Sequence, residues 1–227
     1  MELKVKVPNE LSEITLAQYN KYLNIVEANK DDDNADTFIS MKMLDIFCNV
    51  PFEKTKDLKF AEVTHIVGIL ADMLNSKPDL VKTFKIGDTE FGFIPDLENM
   101  SFGEYVDLDT SLNDWSKMHI AMAVLYRPIK TKYADKYLIK DYEPEKYEEA
   151  MKYTPMDAVI SSLVFFYNLG IELSKAMMSY LEGKEKEALQ STLPLDANGV
   201  GINQFMDSLE ATLQGLSVLP NKDSTKH

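Results

Sequence analysis

The sequence predicts a mainly α fold, that is, a helical domain with one small β-hairpin. Three observations lead to this prediction: apolar residues recur at helical spacing over several long segments, two capping boxes mark helix starts, and residues 83–94 alternate as strands do. The chain has 227 residues, and 45% of them are hydrophobic. A chain of this length can bury roughly 70% of its unfolded surface, so it needs no disulfide or metal to fold. We therefore expect one domain over residues 1–220, followed by a flexible tail over residues 221–227.

Three helices are predicted in the first third of the chain. Thr15 and Gln18 have capping-box spacing, so the first helix is expected to begin directly after Thr15. The second helix is expected over about residues 35–47, and the third over about residues 60–74 with Pro78 beyond its end. In the second helix, the periodicity predicts that the core-facing side chains are Phe38, Met41, Leu44 and either Asp45 or Cys48.

The predicted β component is the segment 83–94. Its apolar residues lie on either side of Gly87-Asp88, a dipeptide that is typical of a tight hairpin turn. A short N-terminal strand, in which Leu3, Val5 and Val7 alternate with charged residues, is a candidate third strand. Because two strands alone are only marginally stable, we expect the hairpin to pack on helices or on a neighbouring subunit.

A second capping box opens the central helical region. Ser101 and Glu104 have the required spacing, and the helix that follows is predicted to kink near Asn113. A further helical segment is expected from Trp115 to Tyr126, with the tryptophan buried.

This second segment is followed at once by Arg127 and Pro128. We expect Pro128 to end the helix. Arg127 is the only arginine in the chain, and we expect it to pair with a carboxylate or to cap a carbonyl at the helix end. Residues 130–143 are predicted to form a loop with a short extended piece at residues 137–139.

The longest helix is predicted over about residues 155–181, with Pro155 in its first turn. Apolar residues nearly encircle its first half, so this half, including Leu163, is predicted to be the central buried element. A loop over residues 189–203 and a last amphipathic helix over about residues 204–216 complete the expected fold.

The charge of the chain excludes some classes of partner. The net charge is −13, and Lys supplies nearly all of the positive side chains. An acidic protein with one arginine is poorly suited to grip phosphates, so we expect no sequence-specific nucleic-acid binding and no attraction to anionic membranes. A biased genome composition would also explain the shortage of arginine. The longest apolar run, residues 158–173, is too short and too polar for a membrane span, and residues 1–8 lack the apolar core of a signal peptide. A soluble, cytosolic protein is expected.

No pattern in the sequence predicts a catalytic, cofactor-binding or metal site. Asp107 opens a run that resembles a calcium loop, but the positions that require Gly and Glu hold Leu112 and Met118. The acidic residues of segment 31–36 fail the same test. The remaining candidates for a metal, catalytic or phosphate-binding site are His65, His119, Cys48, Gly199 and Gly201. Each of them lacks a partner residue or a spacing that such a site requires. An enzyme whose site is assembled from distant residues stays open as an alternative.

Three blocks in the middle of the chain resemble a family of uncharacterised structural and assembly proteins encoded by tailed bacteriophages. The blocks are Phe93-Ile94-Pro95, Gly103-Glu104-Tyr105 and Met122–Pro128, and residues 155–170 look similar too. The resemblance implies a non-enzymatic role in virion morphogenesis. The chain would then act as a ring subunit of the head–tail connector or tail, or as a tail assembly chaperone.

The same resemblance implies partners and a location. The partners would be other virion proteins or, in a homo-oligomeric ring, further copies of the chain. The protein would be found in the host cytoplasm during assembly, and a ring subunit would stay in the virion. A different class of function, an acidic regulatory or anti-host protein that mimics nucleic acid by its charge, is the alternative that the net charge suggests.

Overall fold

Helices make up 56% of the structure, but a four-stranded antiparallel sheet runs through the middle of the chain. The computed structural model describes residues 4–32, 34–97, 99–134 and 136–188. The mainly α prediction is therefore correct for the majority of the chain, while the β component is larger than one hairpin. The predicted loop at 189–203, the helix at 204–216 and the tail at 221–227 lie outside the described residues.

Eight α-helices occur in the described part of the chain: α1 Leu16–Ala28, α2 Asp36–Phe47, α3 Phe52–Thr55, α4 Phe60–Leu74, α5 Phe102–Ser111, α6 Met118–Leu125, α7 Glu148–Met151 and α8 Met156–Ala188. Short 3-10 turns precede three of them, at Leu11–Glu13, Trp115–Lys117 and Pro144–Lys146. The predictions for α1, α2 and α4 are confirmed to within one residue at their starts, and α8 continues beyond its predicted end.

The sheet consists of β1 Thr83–Ile86, β2 Thr89–Phe93, β3 Tyr126–Tyr133 and β4 Lys136–Ile139, in the order β1-β2-β3-β4. The predicted hairpin forms β1 and β2, and Gly87 in its turn has φ +57°, a conformation that favours glycine. The predicted N-terminal strand is wrong, since residues 4–8 form no strand. Chain segments far from the N-terminus supply the third and fourth strands.

The expected helix stop at Pro128 is also wrong. Helix α6 ends at Leu125, and the chain passes directly into β3 at Tyr126. Pro128 lies inside that strand, opposite Phe91, and its carbonyl accepts a hydrogen bond from the Lys140 backbone N–H at 2.9 Å. Apolar residues continue across this junction, and such a run is compatible with a buried helix or a buried strand. The spacing of apolar residues therefore does not show where the helix ends and the strand begins.

Both predicted capping boxes are present. At the start of α1, the Gln18 N–H donates to Thr15 Oγ1 at 3.3 Å, and the Thr15 N–H donates to Gln18 Oε1 at 3.0 Å. The Gln18 amide also donates to the carbonyl of Ile46 at 2.9 Å, so the cap of α1 is tied to α2. The α5 box consists of Ser101 and Glu104, as predicted.

The predicted core stripe of α2 is correct at Leu44 and Cys48 but wrong at Phe38 and Met41, which are not buried. The buried residues are Ile39, Met43, Leu44, Ile46 and Phe47. Phe38 is partly exposed and packs edge-on against Phe52, with 5.6 Å between ring centroids. Lys42 Nζ lies 4.3 Å from the centroid of the Phe52 ring. Apolar residues nearly surround α2, so packing against α1 and α4 decides which of them are buried.

The first half of α8 is buried, as predicted, and the sheet packs against it. Phe93 on β2 contacts the Phe165 and Phe166 rings, with centroid distances of 5.6 and 6.4 Å. The Tyr126 hydroxyl lies 2.7 Å from the Val81 carbonyl and 3.0 Å from Ser162 Oγ. These contacts join the inner strands to α8 through both apolar packing and hydrogen bonds.

Trp115 is only half-buried, which corrects the prediction that it is buried. It lies in the 3-10 turn before α6, and its ring centroid is 4.9 Å from that of Tyr19 on α1. Asp114 caps this turn, since its carboxylate accepts a hydrogen bond from the Ser116 N–H at 2.9 Å. The pKa of Asp114 is lowered, mainly by its hydrogen bond from the Ser116 hydroxyl.

Gly92 on β2 is a position where the fold excludes a side chain. A Cβ atom there would lie 2.5 Å from Cε2 of Tyr137 and 3.1 Å from Cγ1 of Ile129. The Tyr137 ring occupies that space, and its hydroxyl donates to the Phe93 carbonyl at 2.8 Å. Because Gly92 has no side chain, the Tyr137 ring of β4 can lie against β2 at this position.

Leu163→Ala is expected to lower the free energy of unfolding by about 2–5 kcal/mol, because Leu163 is fully buried in α8 and its truncation leaves a cavity. Urea denaturation followed by circular dichroism measures this change. The matched control is Leu138→Ala on β4, where the side chain is 65% exposed, and it should change stability by about 0.5 kcal/mol or less. Equal effects at the two positions would show that Leu163 is not in the core.

Gly92→Ala is expected to destabilise the fold by about 1–3 kcal/mol, because the new methyl group overlaps the Tyr137 ring. In a Tyr137→Ala background the same change should cost little, since the overlap is gone. Gly103→Ala on α5 is the control, because nothing lies within 4 Å of its added Cβ atom. A cost at Gly92 that does not depend on Tyr137 would contradict this account of the strand contact.

Candidate functional site

A buried ion pair joins α5 to the sheet. Glu104 Oε1 lies 2.6 Å from an Nη atom of Arg127 on β3, and the two side chains are 7% and 9% exposed. The other carboxylate oxygen, Oε2, accepts a hydrogen bond from the Ser101 N–H at 2.6 Å. One carboxylate therefore caps α5 and neutralises the only arginine of the chain. Of the two roles predicted for Arg127, pairing with a carboxylate is the one that the structure shows.

Tyr142 and Asp107 extend this pair into a small cluster. The Arg127 guanidinium lies 5.6 Å from the centroid of the Tyr142 ring, a favourable cation–π distance. The Tyr142 hydroxyl donates to Asp107 Oδ2 at 2.5 Å, so it also reaches the next turn of α5. The pKa of Tyr142 is raised, first by burial and then by this hydrogen bond. The cluster fastens α5 along its inner side.

The outer side of α5 is left apolar and exposed. Phe102 is 81% exposed, Tyr105 54% and Val106 38%, and Asp109 is exposed as well. The spacing of these four residues (i, i+3, i+4 and i+7) places them on one side of the helix. We call Phe102, Tyr105, Val106 and Asp109 the helix face.

The end of the β3–β4 hairpin carries a second exposed surface. Thr131 lies opposite Leu138 and Tyr133 opposite Lys136 in the register of the two strands. Directly opposite residues share a side of an antiparallel pair, as do residues two apart on one strand. Tyr133 is 86% exposed and Leu138 65%. We call Thr131, Tyr133, Lys136 and Leu138 the hairpin face.

The hairpin is basic in an otherwise acidic protein. Segment 126–140 contains one acidic residue, Asp135, and its basic residues are Arg127, Lys130, Lys132, Lys136 and Lys140. Lys132 Nζ is paired with Glu90 of β2 at 2.6 Å. Lys136, on the hairpin face, is exposed beside Tyr133 and Leu138. The two surfaces thus share exposed apolar groups but carry opposite charge.

The acidic residues that resembled calcium loops have local roles or stay exposed. Asp107 accepts the Tyr142 hydrogen bond and Asp114 caps a turn, while Asp31 and Asp36 are exposed. Among the residues that the structure describes, no three His, Cys, Asp or Glu side chains are grouped so that they could hold a metal ion.

The other candidate residues are also dispersed. His65 is exposed on α4, and His119 is partly buried on α6. Cys48 is buried, and burial raises the pKa of its thiol to about 11, so the thiolate is scarce at neutral pH. Gly199 and Gly201 lie outside the described residues.

Comparisons with models of protein families, with curated proteins and with solved structures gave no match. Across residues 4–188, apart from the undescribed positions, no helix has both the length and the apolar character that a bilayer crossing needs.

Glu104→Gln is expected to lower the free energy of unfolding by about 3–5 kcal/mol, because it leaves the Arg127 cation buried without a counter-charge. Chemical denaturation of the variant tests this. Removing both charges, as Glu104→Gln with Arg127→Met, should cost less than the sum of the two single changes.

The matched control for this pair is Glu149→Gln. Glu149 pairs with Lys152 at 2.7 Å, but both side chains are exposed, so solvent already screens their attraction. We expect no measurable change in stability from this substitution. A Glu104→Gln variant as stable as the Glu149→Gln variant would contradict the structural role assigned to the buried pair.

Proposed function

We propose that this chain is a non-enzymatic bacteriophage morphogenesis protein that acts through protein–protein contacts. Its role would be that of a ring subunit at the head–tail connector or tail, or of a tail assembly chaperone. The observation that carries the proposal is the presence of two exposed apolar surfaces, the helix face and the hairpin face, on elements that are firmly attached to one core.

Exposed apolar residues are common when scattered singly, but a group on one side of an element indicates a contact surface. Phe102 and Tyr105 are neighbours on the helix face, and Tyr133 and Leu138 are near each other on the hairpin face. Aromatic side chains supply a large contact area at a low entropic cost, so such groups suit protein interfaces. Both surfaces therefore favour a partner protein over a small molecule.

The resemblance to phage proteins supports the same role, because its blocks coincide with these elements. Gly103-Glu104-Tyr105 places the buried anchor Glu104 beside the exposed Tyr105. The Met122–Pro128 block forms the end of α6, the start of β3 and the anchor Arg127. The residues behind the resemblance thus include the ion pair that holds α5 and part of the surface that α5 presents.

The arrangement of charge favours assembly over mimicry of nucleic acid. Mimicry needs rows of carboxylates, whereas acidic side chains here often lie beside a lysine three residues further along the chain. Such pairs are Glu27 with Lys30, Glu53 with Lys56 and Glu149 with Lys152. Lysines at this spacing interrupt a continuous negative surface.

The proposal is tested by mass spectrometry of purified virions from cells in which this protein is made during phage infection, together with affinity purification from those cells before lysis. A copy number in the virion that matches the symmetry of one ring supports the ring-subunit role. Absence from the virion, combined with binding to an identified tail protein before lysis, supports the chaperone role.

The control for both measurements is a chain that carries Phe102→Asp and Leu138→Asp, which removes both surfaces without touching buried residues. This variant should lose its association with virion proteins while its circular dichroism spectrum is unchanged. The proposal is contradicted if the unmodified chain associates with no virion protein at any stage of infection.

A further inference from the structure

The helix face and the hairpin face point to opposite sides of the sheet. Arg127 lies opposite Gly92, and a Cβ atom on Gly92 would meet Tyr137 and Ile129, so these residues share one side. Glu104 reaches Arg127 from that side, which places α5 there. Leu138 is next to Tyr137 on β4, and alternation along a strand directs it to the other side.

The charges of the two surfaces are complementary. The helix face ends in the exposed carboxylate of Asp109, on a chain whose net charge is −13. The hairpin face includes the exposed ammonium of Lys136, in a segment where basic residues outnumber acidic ones. The hairpin is therefore attracted to surfaces with the composition of the rest of this protein.

We propose that copies of this chain associate head to tail, with the hairpin face of one copy docked on the helix face of the next. Each surface brings two large apolar side chains, Phe102 with Tyr105 on one and Tyr133 with Leu138 on the other. Their contact buries all four and brings Lys136 near Asp109. This inference rests on the proposed function, which treats the helix face and the hairpin face as protein-contact surfaces. It adds that a second copy of the chain is one of the partners that bind there.

The placement of the surfaces determines the kind of assembly. A two-fold dimer formed through one of these surfaces would pair that surface with itself and bring like charges together. In a head-to-tail assembly, each copy binds one neighbour through its helix face and the other neighbour through its hairpin face. An open assembly therefore has a free helix face at one end and a free hairpin face at the other. Such contacts continue until they close into a ring or extend as a filament. The opposite charges also make the association weaker at high salt concentration.

The test uses the purified full-length chain, whose mass is measured by native mass spectrometry and light scattering at low and high salt. The unmodified chain should form species larger than a dimer at low salt, and these should shift towards the monomer at high salt. Phe102→Asp removes the helix face and Leu138→Asp removes the hairpin face, so each variant alone should be monomeric. An equimolar mixture of the two should form a 1:1 heterodimer and nothing larger, because one intact pair of surfaces remains.

Phe60→Asp is the matched control for Phe102→Asp. Phe60 is 78% exposed on α4 and belongs to neither surface, so this variant should assemble as the unmodified chain does. Circular dichroism and thermal unfolding establish that all three variants are folded. A monomeric unmodified chain at high protein concentration and low salt would overturn the inference. So would a mixture of Phe102→Asp and Leu138→Asp that stays monomeric, or a Phe102→Asp variant that still dimerises through its hairpin.

These outcomes are separate from the outcomes that decide the proposed function. A chain that is monomeric in solution but binds virion proteins overturns the head-to-tail contact and leaves the assembly role standing. A chain that forms the mixed heterodimer but binds no virion protein during infection supports the contact and overturns the assembly role.

Discussion

The buried pair of Glu104 and Arg127 is the interaction on which the arrangement of this protein depends. A buried charge is tolerated only when it is paired and hydrogen-bonded, and here one carboxylate meets both demands by binding the guanidinium and the Ser101 N–H. Glu104 belongs to the first turn of α5, and Arg127 to the inner strand β3. The pair therefore fixes the helix on one side of the sheet, and Tyr142 with Asp107 holds its next turn.

Because the inner side of α5 is fixed to the sheet, the residues on its outer side remain exposed to solvent. With Glu104 and Leu108 turned inwards, Phe102 and Tyr105 are held in water on a helix that cannot rotate to bury them. The hairpin meets a similar constraint, because Tyr137 is packed over Gly92 and alternation then leaves Leu138 exposed. In both places a packed contact on one side creates an apolar surface on the other, and such fixed surfaces lose little entropy when a partner binds.

Features that depend on neighbouring residues could be predicted from the sequence, and features that depend on distant partners could not. The Thr15 and Ser101 capping boxes are local, so their residue types and spacing were sufficient. The pairing of β3 with β2 joins residues far apart in the chain, and the apolar run before Arg127 suits a helix or a strand equally well. The sequence likewise offered Arg127 a carboxylate or a helix-end carbonyl as a partner, and only the fold selects the carboxylate of Glu104.

Hydrogen exchange of the α5 backbone amides, compared between the unmodified chain and Arg127→Met, tests the central role of the pair most directly. This variant keeps the Ser101 cap but leaves the Glu104 carboxylate buried without a cation, so α5 should separate from the sheet to hydrate it. We predict that protection falls strongly in α5, residues 102–111, while amides in α1 and the first half of α8 keep most of theirs. Unchanged protection in α5, or an equal loss in all three helices, would contradict the account.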